Sequence, residues 1–285
     1  MNETLEIARE RNVRDAIAED LGDGDWTGML VPAERRVKAR VIARERAVLC
    51  GRDWFDAVVR TLDPEARIAW QVEEGDWMTP DAPVVEIEAQ ARALLAAERP
   101  ALNFIQLLSC TATEARRHVE AVGGASPLPE GCAILDTRKT IPGLRQAQKY
   151  AVRIGGGRNQ RLALWHGILI KENHIAAAGG VSQVLANARA LNAGVEIQIE
   201  VETLEQLREA LAAGATSVLL DNFDLERMRQ AVAINEGRAL LEVSGSVQLE
   251  QLRAIAATGV HRISIGKLTK DVKAVDFSMR VVEEF

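Results

Sequence analysis

Between Asp136 and Lys171 the chain carries eight cations: Arg138, Lys139, Arg145, Lys149, Arg153, Arg158, Arg161 and Lys171. Asp136 is the only acid in that stretch, so it forms a positive island of +7 in a chain whose formal charge is −6. Arginine grips carboxylate or phosphate through two parallel N–H donors. A charge-assisted hydrogen bond contributes about 1.5–3 kcal/mol, so three or four of them hold a small polyanion. Arg138, Lys139, Arg161 and Lys171 stand at strand ends or beside the Gly155-Gly156-Gly157 turn and suit such a ligand. Lys149 and Arg153 fit the exposed face of a helix. Farther along the sign reverses, with Glu200, Glu202 and Asp221. An acidic half suits sugar hydroxyls, Mg²⁺ or a developing positive charge. Ser244-Gly245-Ser246 and Gly266 offer backbone N–H groups at helix starts, where phosphate binds well.

These residues need a frame that gathers them. From residue 132 onward, short β-type runs recur: "CAILD", "GILIK", "VEIQIEVE", "SVLLD", "ALLEVSG" and "RISIG". Helical stretches such as "TLEQLREALAAG" and "DLERMRQAVAIN" separate most of them. Strand, helix and short turn in alternation make a parallel sheet. A full eight-unit barrel needs about 250 residues, and about 160 are present, so six or seven parallel strands in an incomplete or distorted α/β barrel are expected. The carboxyl ends of such strands face one mouth, where active sites sit. Each run ends in charge or in a Ser/Gly turn, so the ends converge. The plainer reading is helix capping, and Thr203, Asp224 and Ser246 suit that role.

The first part reads as an α+β unit. Val13, Ile17 and Leu21 share one helical stripe, and Val37, Ala39, Val41 and Ala43 alternate as on a half-buried strand. "RIAWQVEEGD" and "PVVEIEA" read as two further strands. A long apolar helical stretch follows from Ala91, with a break expected at Pro100. The domains are expected at 1–115, joined by the C-terminal segment 272–285, and at 116–271.

Composition narrows the classes. With 47% hydrophobic and 27% charged residues, the chain is ordinary for a soluble globular protein. Its acidic balance argues against nucleic acid as a partner. The start lacks an apolar signal core, and no run reaches the about 18 apolar residues of a membrane span. Cys50, Cys110 and Cys132 show no metal-ligand spacing and read as buried thiols in a reducing, cytoplasmic compartment.

The motifs "LDTRKTIPGLRQAQKYAV", "GGGRNQR", "LIKENHI", "IEVETLEQL", "LLDN", "EVSGSV" and "ISIGKLTKDVKAVDFSMR", with "EDLGDGDWT" and "ERPALNFIQLLS" nearer the start, closely resemble the quinolinate phosphoribosyltransferase family. The resemblance covers nearly the whole chain in order. It implies transfer of phosphoribose from phosphoribosyl pyrophosphate to the ring nitrogen of quinolinate. The products are nicotinate mononucleotide, pyrophosphate and carbon dioxide, and Mg²⁺ takes part. It implies that Thr137, Arg138, Lys139, Gln160, Arg161 and Lys171 meet the ring carboxylates and nearby phosphate. It implies that Glu200 and Asp221 stand near the ribose hydroxyls and Mg²⁺, and that Ser244, Gly245, Ser246 and Gly266 cradle phosphate. Lys139, Lys171, Glu200 and Asp221 are the implied catalytic set. The family is at least dimeric, and Arg99 corresponds to an arginine that enters the neighbouring subunit's pocket.

Two positions depart from the family pattern. Gln160 stands where histidine is usual, and His166 where aspartate is usual. Glutamine donates a hydrogen bond to a carboxylate but carries no charge. This leaves two alternatives: a related transferase for another ring acid, as in paralogues linked to molybdenum transport, and a non-catalytic binder of pyridine carboxylates.

Overall fold

The structure is a computed structural model that describes residues 2–285. The chain opens with α1 (Leu5–Leu21), β1 (Arg36–Ala43), α2 (Arg52–Leu62), β2 (Arg67–Trp70), β3 (Pro83–Gln90) and α3 (Ala91–Val122). It continues with β4 (Ala133–Leu135), α4 (Arg145–Ile154), β5 (Gly167–Ile170), α5 (Glu172–Ala178), α6 (Val181–Ala190), β6 (Glu196–Val201) and α7 (Leu204–Ala212). It ends with β7 (Ser217–Asp221), α8 (Leu225–Asn235), β8 (Leu240–Ser244), α9 (Leu252–Ala256), β9 (Arg262–Ser264), α10 (Lys267–Lys270) and β10 (Phe277–Glu284). These elements divide into two compact units. One comprises residues 1–116, 140–156 and 268–285, and the other residues 117–139 and 157–267. The segment 140–156, which the sequence boundaries assign to the barrel, therefore groups with the first unit.

In the first unit β10, β1, β3 and β2 form an antiparallel sheet in that order. β1 alternates as its pattern requires: Val37, Ala39, Val41 and Ala43 are buried. They meet Trp54, Phe55 and Val58 of α2 and Leu102, Ile105 and Leu108 of α3 in one apolar core. Such alternation is what one sheet face on a core demands. Two expectations fail here. α3 does not break at Pro100 but runs on for 32 residues. Proline removes one helical hydrogen bond, and packing carries the helix past it. Leu94 and Ala97 before the proline and Ala101, Leu102 and Ile105 after it are all buried. Lys149 is not solvated but fully buried. Its neighbours Ala147, Gln148, Ala151 and Val152 are buried too, so α4 has no broad solvent face at that level.

In the second unit six strands, all parallel, lie in the order β4-β9-β8-β7-β6-β5. The first two strands of the series stand at opposite edges. Joining those edges would restore sequential order around a ring, so the unit is an α/β barrel opened along one seam. One strand face is apolar: Ile199, Val201, Val218, Leu220, Leu241, Val243 and Ile263 are buried. α6 and α7 cover β6 on that side. The other face is polar, with Gln198, Glu200, Ser217, Asp221, Glu242, Ser244, Arg262 and Ser264 at alternate positions. Thr203 and Asp224 cap α7 and α8, accepting from Gln206 N at 3.2 Å and Arg227 N at 2.8 Å. Ser246 does not cap. Gln248 takes that role before the turn at Leu249–Gln251.

Candidate active site

The parallel register brings the strand ends of the second unit to one rim. β4 delivers Asp136, Thr137, Arg138 and Lys139. Asp136 is fully buried and acts as an internal anchor. Its carboxylate accepts from Asn159 Nδ2 at 2.5 Å and from Gln160 N at 3.0 Å. Arg158 pairs with the free edge of β4, donating from N to Ile134 O at 2.8 Å and accepting from Asp136 N at 3.2 Å. Arg161 Nη1 donates to Gly167 O at the start of β5, at 2.9 Å. So "RNQR" fills the barrel seam, holding β4 by its backbone and β5 by a guanidinium. Arg161 has its pKa drawn down, first by burial and then by the like charge of Arg138. The adjoining glycines are structural. A Cβ at Gly155 would overlap the Ala112 carbonyl, and Gly156 holds φ +91.

β5 delivers Lys171, whose Nζ donates to Glu200 Oε2 on β6 at 2.7 Å. Ile170 pairs with Ile199, so the next residues along, Lys171 and Glu200, sit side by side. His174, from "KENH", closes the start of α5 by accepting from Lys171 N at 3.0 Å. Glu202, one strand step beyond, is exposed. Asp221 ends β7 on the same sheet face as Glu200, because Glu200 pairs with Leu219 and side chains repeat every second residue.

Asp221 accepts from Asn222 Nδ2 at 2.9 Å, and Asn222 N donates to Ser244 O at 3.1 Å. Asn222 adopts φ +55 and Gly245 φ +132. A Cβ on Gly245 would stand 2.5 Å from Asn222 Oδ1. Only glycine fits, and the turn leaves Ser244, Gly245 and Ser246 lining a cavity of about 840 Å³ with Asn222 and Phe223. Gly266 plays a matching part after β9. A Cβ there would come within 2.9 Å of Lys139 Cδ and 3.6 Å of Thr137 Oγ1. The Lys139 stem thus lies over the Gly266 backbone, which orients the ammonium at the rim.

Among the sequence-derived site residues, Thr137, Arg138, Lys139, Gln160, Arg161, Lys171, Glu200, Asp221, Ser244, Gly245, Ser246 and Gly266 all fall in this unit. Arg99 lies on α3 in the first unit, exposed, 3.9 Å from Glu98. His166 is exposed, and its Nδ1 accepts weakly from Leu162 N at 3.4 Å. The sequence reading passed over Gln198, Glu242 and Arg262, which form a polar layer inside the barrel. The signal was there: Gln198 and Glu242 interrupt the apolar runs of β6 and β8, and Arg262 opens β9. The cysteines take no part. Cys132 is held by burial at a pKa of about 12, far from a thiolate at neutral pH.

The chain is similar to known proteins over nearly its whole length. The description "Quinolinate phosphoribosyl transferase, N-terminal domain" matches residues 25–109, and its C-terminal counterpart matches residues 111–280. The chain is 40% identical to a probable nicotinate-nucleotide pyrophosphorylase (carboxylating) of Bacillus subtilis strain 168, over 92% of this chain and 90% of that one. It is 39% identical to the nicotinate-nucleotide pyrophosphorylase (carboxylating) of Mycobacterium leprae, over 96% and 97%. The solved nicotinate-nucleotide pyrophosphorylase of Francisella tularensis superposes with a TM-score of 0.92 at 41% identity, covering 99% of this chain and 98% of that one. The chain belongs to the quinolinate phosphoribosyltransferase family.

Proposed function

We propose that the protein transfers phosphoribose from phosphoribosyl pyrophosphate to quinolinate, with loss of carbon dioxide, giving nicotinate mononucleotide and pyrophosphate in NAD biosynthesis. The observation that carries this is a rim of two signs on one parallel sheet. Arg138, Lys139 and Lys171 lie just past the ends of β4 and β5, and Glu200 and Asp221 on β6 and β7, while Arg161 stands in the seam between β4 and β5 beside Gly167. A dianionic ring acid suits the first, and a ribose whose C1 gains positive charge suits the second.

The bonds balance without a protein nucleophile. The C1–O bond to pyrophosphate breaks and its electron pair leaves with pyrophosphate. The ring nitrogen supplies the pair for the new C1–N bond. The resulting pyridinium draws on the neighbouring carboxylate, whose C–C bond breaks. That pair stays on the ring carbon, which takes up a proton, and carbon dioxide departs. Arg138, Arg161 and Lys139 orient the ring acid by its carboxylates, and Lys171 ties Glu200 in place beside the ribose. Ser244, Gly245, Ser246 and Gly266 offer backbone donors to phosphate. Positioning and electrostatics supply most of the rate.

Glu200 and Asp221 offer hard oxygen donors on one sheet face, which fits Mg²⁺, an ion that takes one or two carboxylates and completes its shell with water and substrate phosphate. These two residues would hold it, and its charge would offset that of the departing pyrophosphate. We also propose a homodimer in which Arg99 enters the neighbouring subunit's site. Exposed Leu95, one turn before Arg99, and exposed Leu30 and Val281 give the first unit an apolar face that suits a second copy. The buried thiols of Cys50, Cys110 and Cys132 suit the cytoplasm, and no described helix is long and apolar enough to cross a membrane. Turnover of quinolinate with phosphoribosyl pyrophosphate and Mg²⁺, followed by release of carbon dioxide and pyrophosphate, tests the reaction.

A further inference from the structure

Asn222 is exposed and lines the rim cavity, yet each of its polar atoms has a named neighbour. β7 and β8 pair as far as Asp221 and Ser244. Asn222 N adds one more bond, donating to Ser244 O at 3.1 Å. Its carbonyl oxygen accepts from Arg227 Nη2 at 3.0 Å. Arg227 is in turn fixed at the start of α8, by Asp224 Oδ2 at 3.2 Å and by the Phe223 ring, whose centre lies 5.1 Å from the guanidinium carbon. The side-chain Nδ2 of Asn222 donates to Asp221 Oδ2 at 2.9 Å. Its Oδ1 stands 2.5 Å from where a Cβ on Gly245 would lie.

These contacts give the amide one direction. A carboxylate oxygen only accepts, so the NH₂ turns to Asp221 and the carbonyl oxygen to Gly245. The reversed amide would set an oxygen against the carboxylate. The backbone of Asn222, at φ +55, is one that asparagine enters more readily than most residues. A turn alone asks for no more than that, and glycine would meet the demand equally well. The side chain is therefore in excess of what the turn needs. It is wedged between the carboxylate that ends β7 and the glycine turn that follows β8.

We propose that Asn222 is a positioning residue: its amide holds the Asp221 carboxylate at a set spacing from the Ser244–Ser246 turn. This rests on the functional reading above, in which Asp221 faces the ribose and the turn faces phosphate. One side chain then keeps the two ends of a single substrate, phosphoribosyl pyrophosphate, in register, and the ring-acid subsite does not depend on it.

The test compares Asn222→Gly and Asn222→Asp by steady-state kinetics, with melting temperature as a check on folding. Asn222→Gly keeps the left-handed backbone and removes the amide. It is expected to lower kcat about tenfold or more, the weight of one charge-assisted hydrogen bond. KM for phosphoribosyl pyrophosphate should rise about threefold to tenfold, with KM for quinolinate within about twofold. Asn222→Asp keeps the shape but offers no donor to Asp221, so it should be impaired at least as much. Gly245→Ala should cost less in the Asn222→Gly background than in the wild type, because Asn222 Oδ1 is the atom that a Cβ meets. Wild-type constants in Asn222→Gly, full activity in Asn222→Asp, or equal rises in both KM values would overturn the proposal. If Asn222→Gly does not fold, Asn222→Asp alone decides. Failure of the functional reading shows separately, as wild-type protein that does not turn over quinolinate. In that case crystal structures of the wild type and Asn222→Gly decide. A rotated Asp221 carboxylate and a shifted Ser244–Ser246 turn in the variant support the proposal, and both groups in place overturn it.

Discussion

Lys171 Nζ and Glu200 Oε2 meet at 2.7 Å across the neighbouring strands β5 and β6, although the residues lie 29 apart in sequence. Glu200 is buried and Lys171 half exposed, so the lysine reaches from the solvent edge to a carboxylate beneath the rim. Removing the lysine leaves that carboxylate without its cation, and removing the carboxylate frees the lysine to wander. Lys171→Met and Glu200→Gln are each expected to lower kcat by about a hundredfold or more, the scale of one lost electrostatic element in an active site. The double variant should be little worse than either single one. Purified variants with unchanged melting temperature give the check.

Gly245 meets two demands at once, φ +132 and a contact with Asn222 that excludes a Cβ. Gly245→Ala is therefore expected to push Asn222 aside and distort the Ser244–Ser246 turn, at a cost of about 1–3 kcal/mol for the strained backbone. KM for phosphoribosyl pyrophosphate should rise more than KM for quinolinate. Equal rises in both would mean that the turn does not serve phosphate.

His261 titrates against the fold. Its Nδ1 accepts from Leu241 N at 3.1 Å, which requires the neutral ring on that nitrogen. Burial first, and then the charge of Arg262, pull its pKa below the ordinary 6.5. The folded value is the lower one, so the unfolded chain binds more protons between the two values. Stability from this group is complete above pH 6.5 and is lost as pH falls through the folded pKa. Thermal melts from neutral to mildly acid pH should show the decline, and His261→Asn should flatten it.

Chelation separates the metal from the fold. Among the described residues no cluster of three or more His, Cys, Asp or Glu side chains gathers as a metal site. Mg²⁺ held by Glu200, Asp221 and substrate phosphate would come and go with substrate. Excess EDTA should abolish turnover, and Mg²⁺ restore it, with the melting temperature of ligand-free protein unchanged.

Arg99 offers a test of shared sites. Arg99→Ala and Lys139→Ala chains should each be inactive alone. Mixed under conditions of proven subunit exchange, they should regain activity through hybrid dimers that contain one intact site. No recovery would assign Arg99 to another role.

The sequence showed the strand ends well because each apolar run stops at a residue too polar for a core. Alternation made β1 legible, and the small number of βα steps made an opened barrel legible. Pro100 misled because local hydrogen bonding argues for a break, while the packing that overrides it involves residues distant in sequence. Lys149 misled because helical spacing assumes one buried face. The polar layer of Gln198, Glu242 and Arg262 was hidden for a different reason. Gln198 and Glu242 stand among apolar residues of β6 and β8 and Arg262 at the start of β9, and only the parallel register of the sheet makes them neighbours.

The most direct test is turnover of the purified protein with quinolinate, phosphoribosyl pyrophosphate and Mg²⁺, with nicotinate as a parallel substrate. Formation of nicotinate mononucleotide, carbon dioxide and pyrophosphate from quinolinate, without comparable use of nicotinate, is the expected result. Folded protein that releases no carbon dioxide from quinolinate would contradict the proposed reaction.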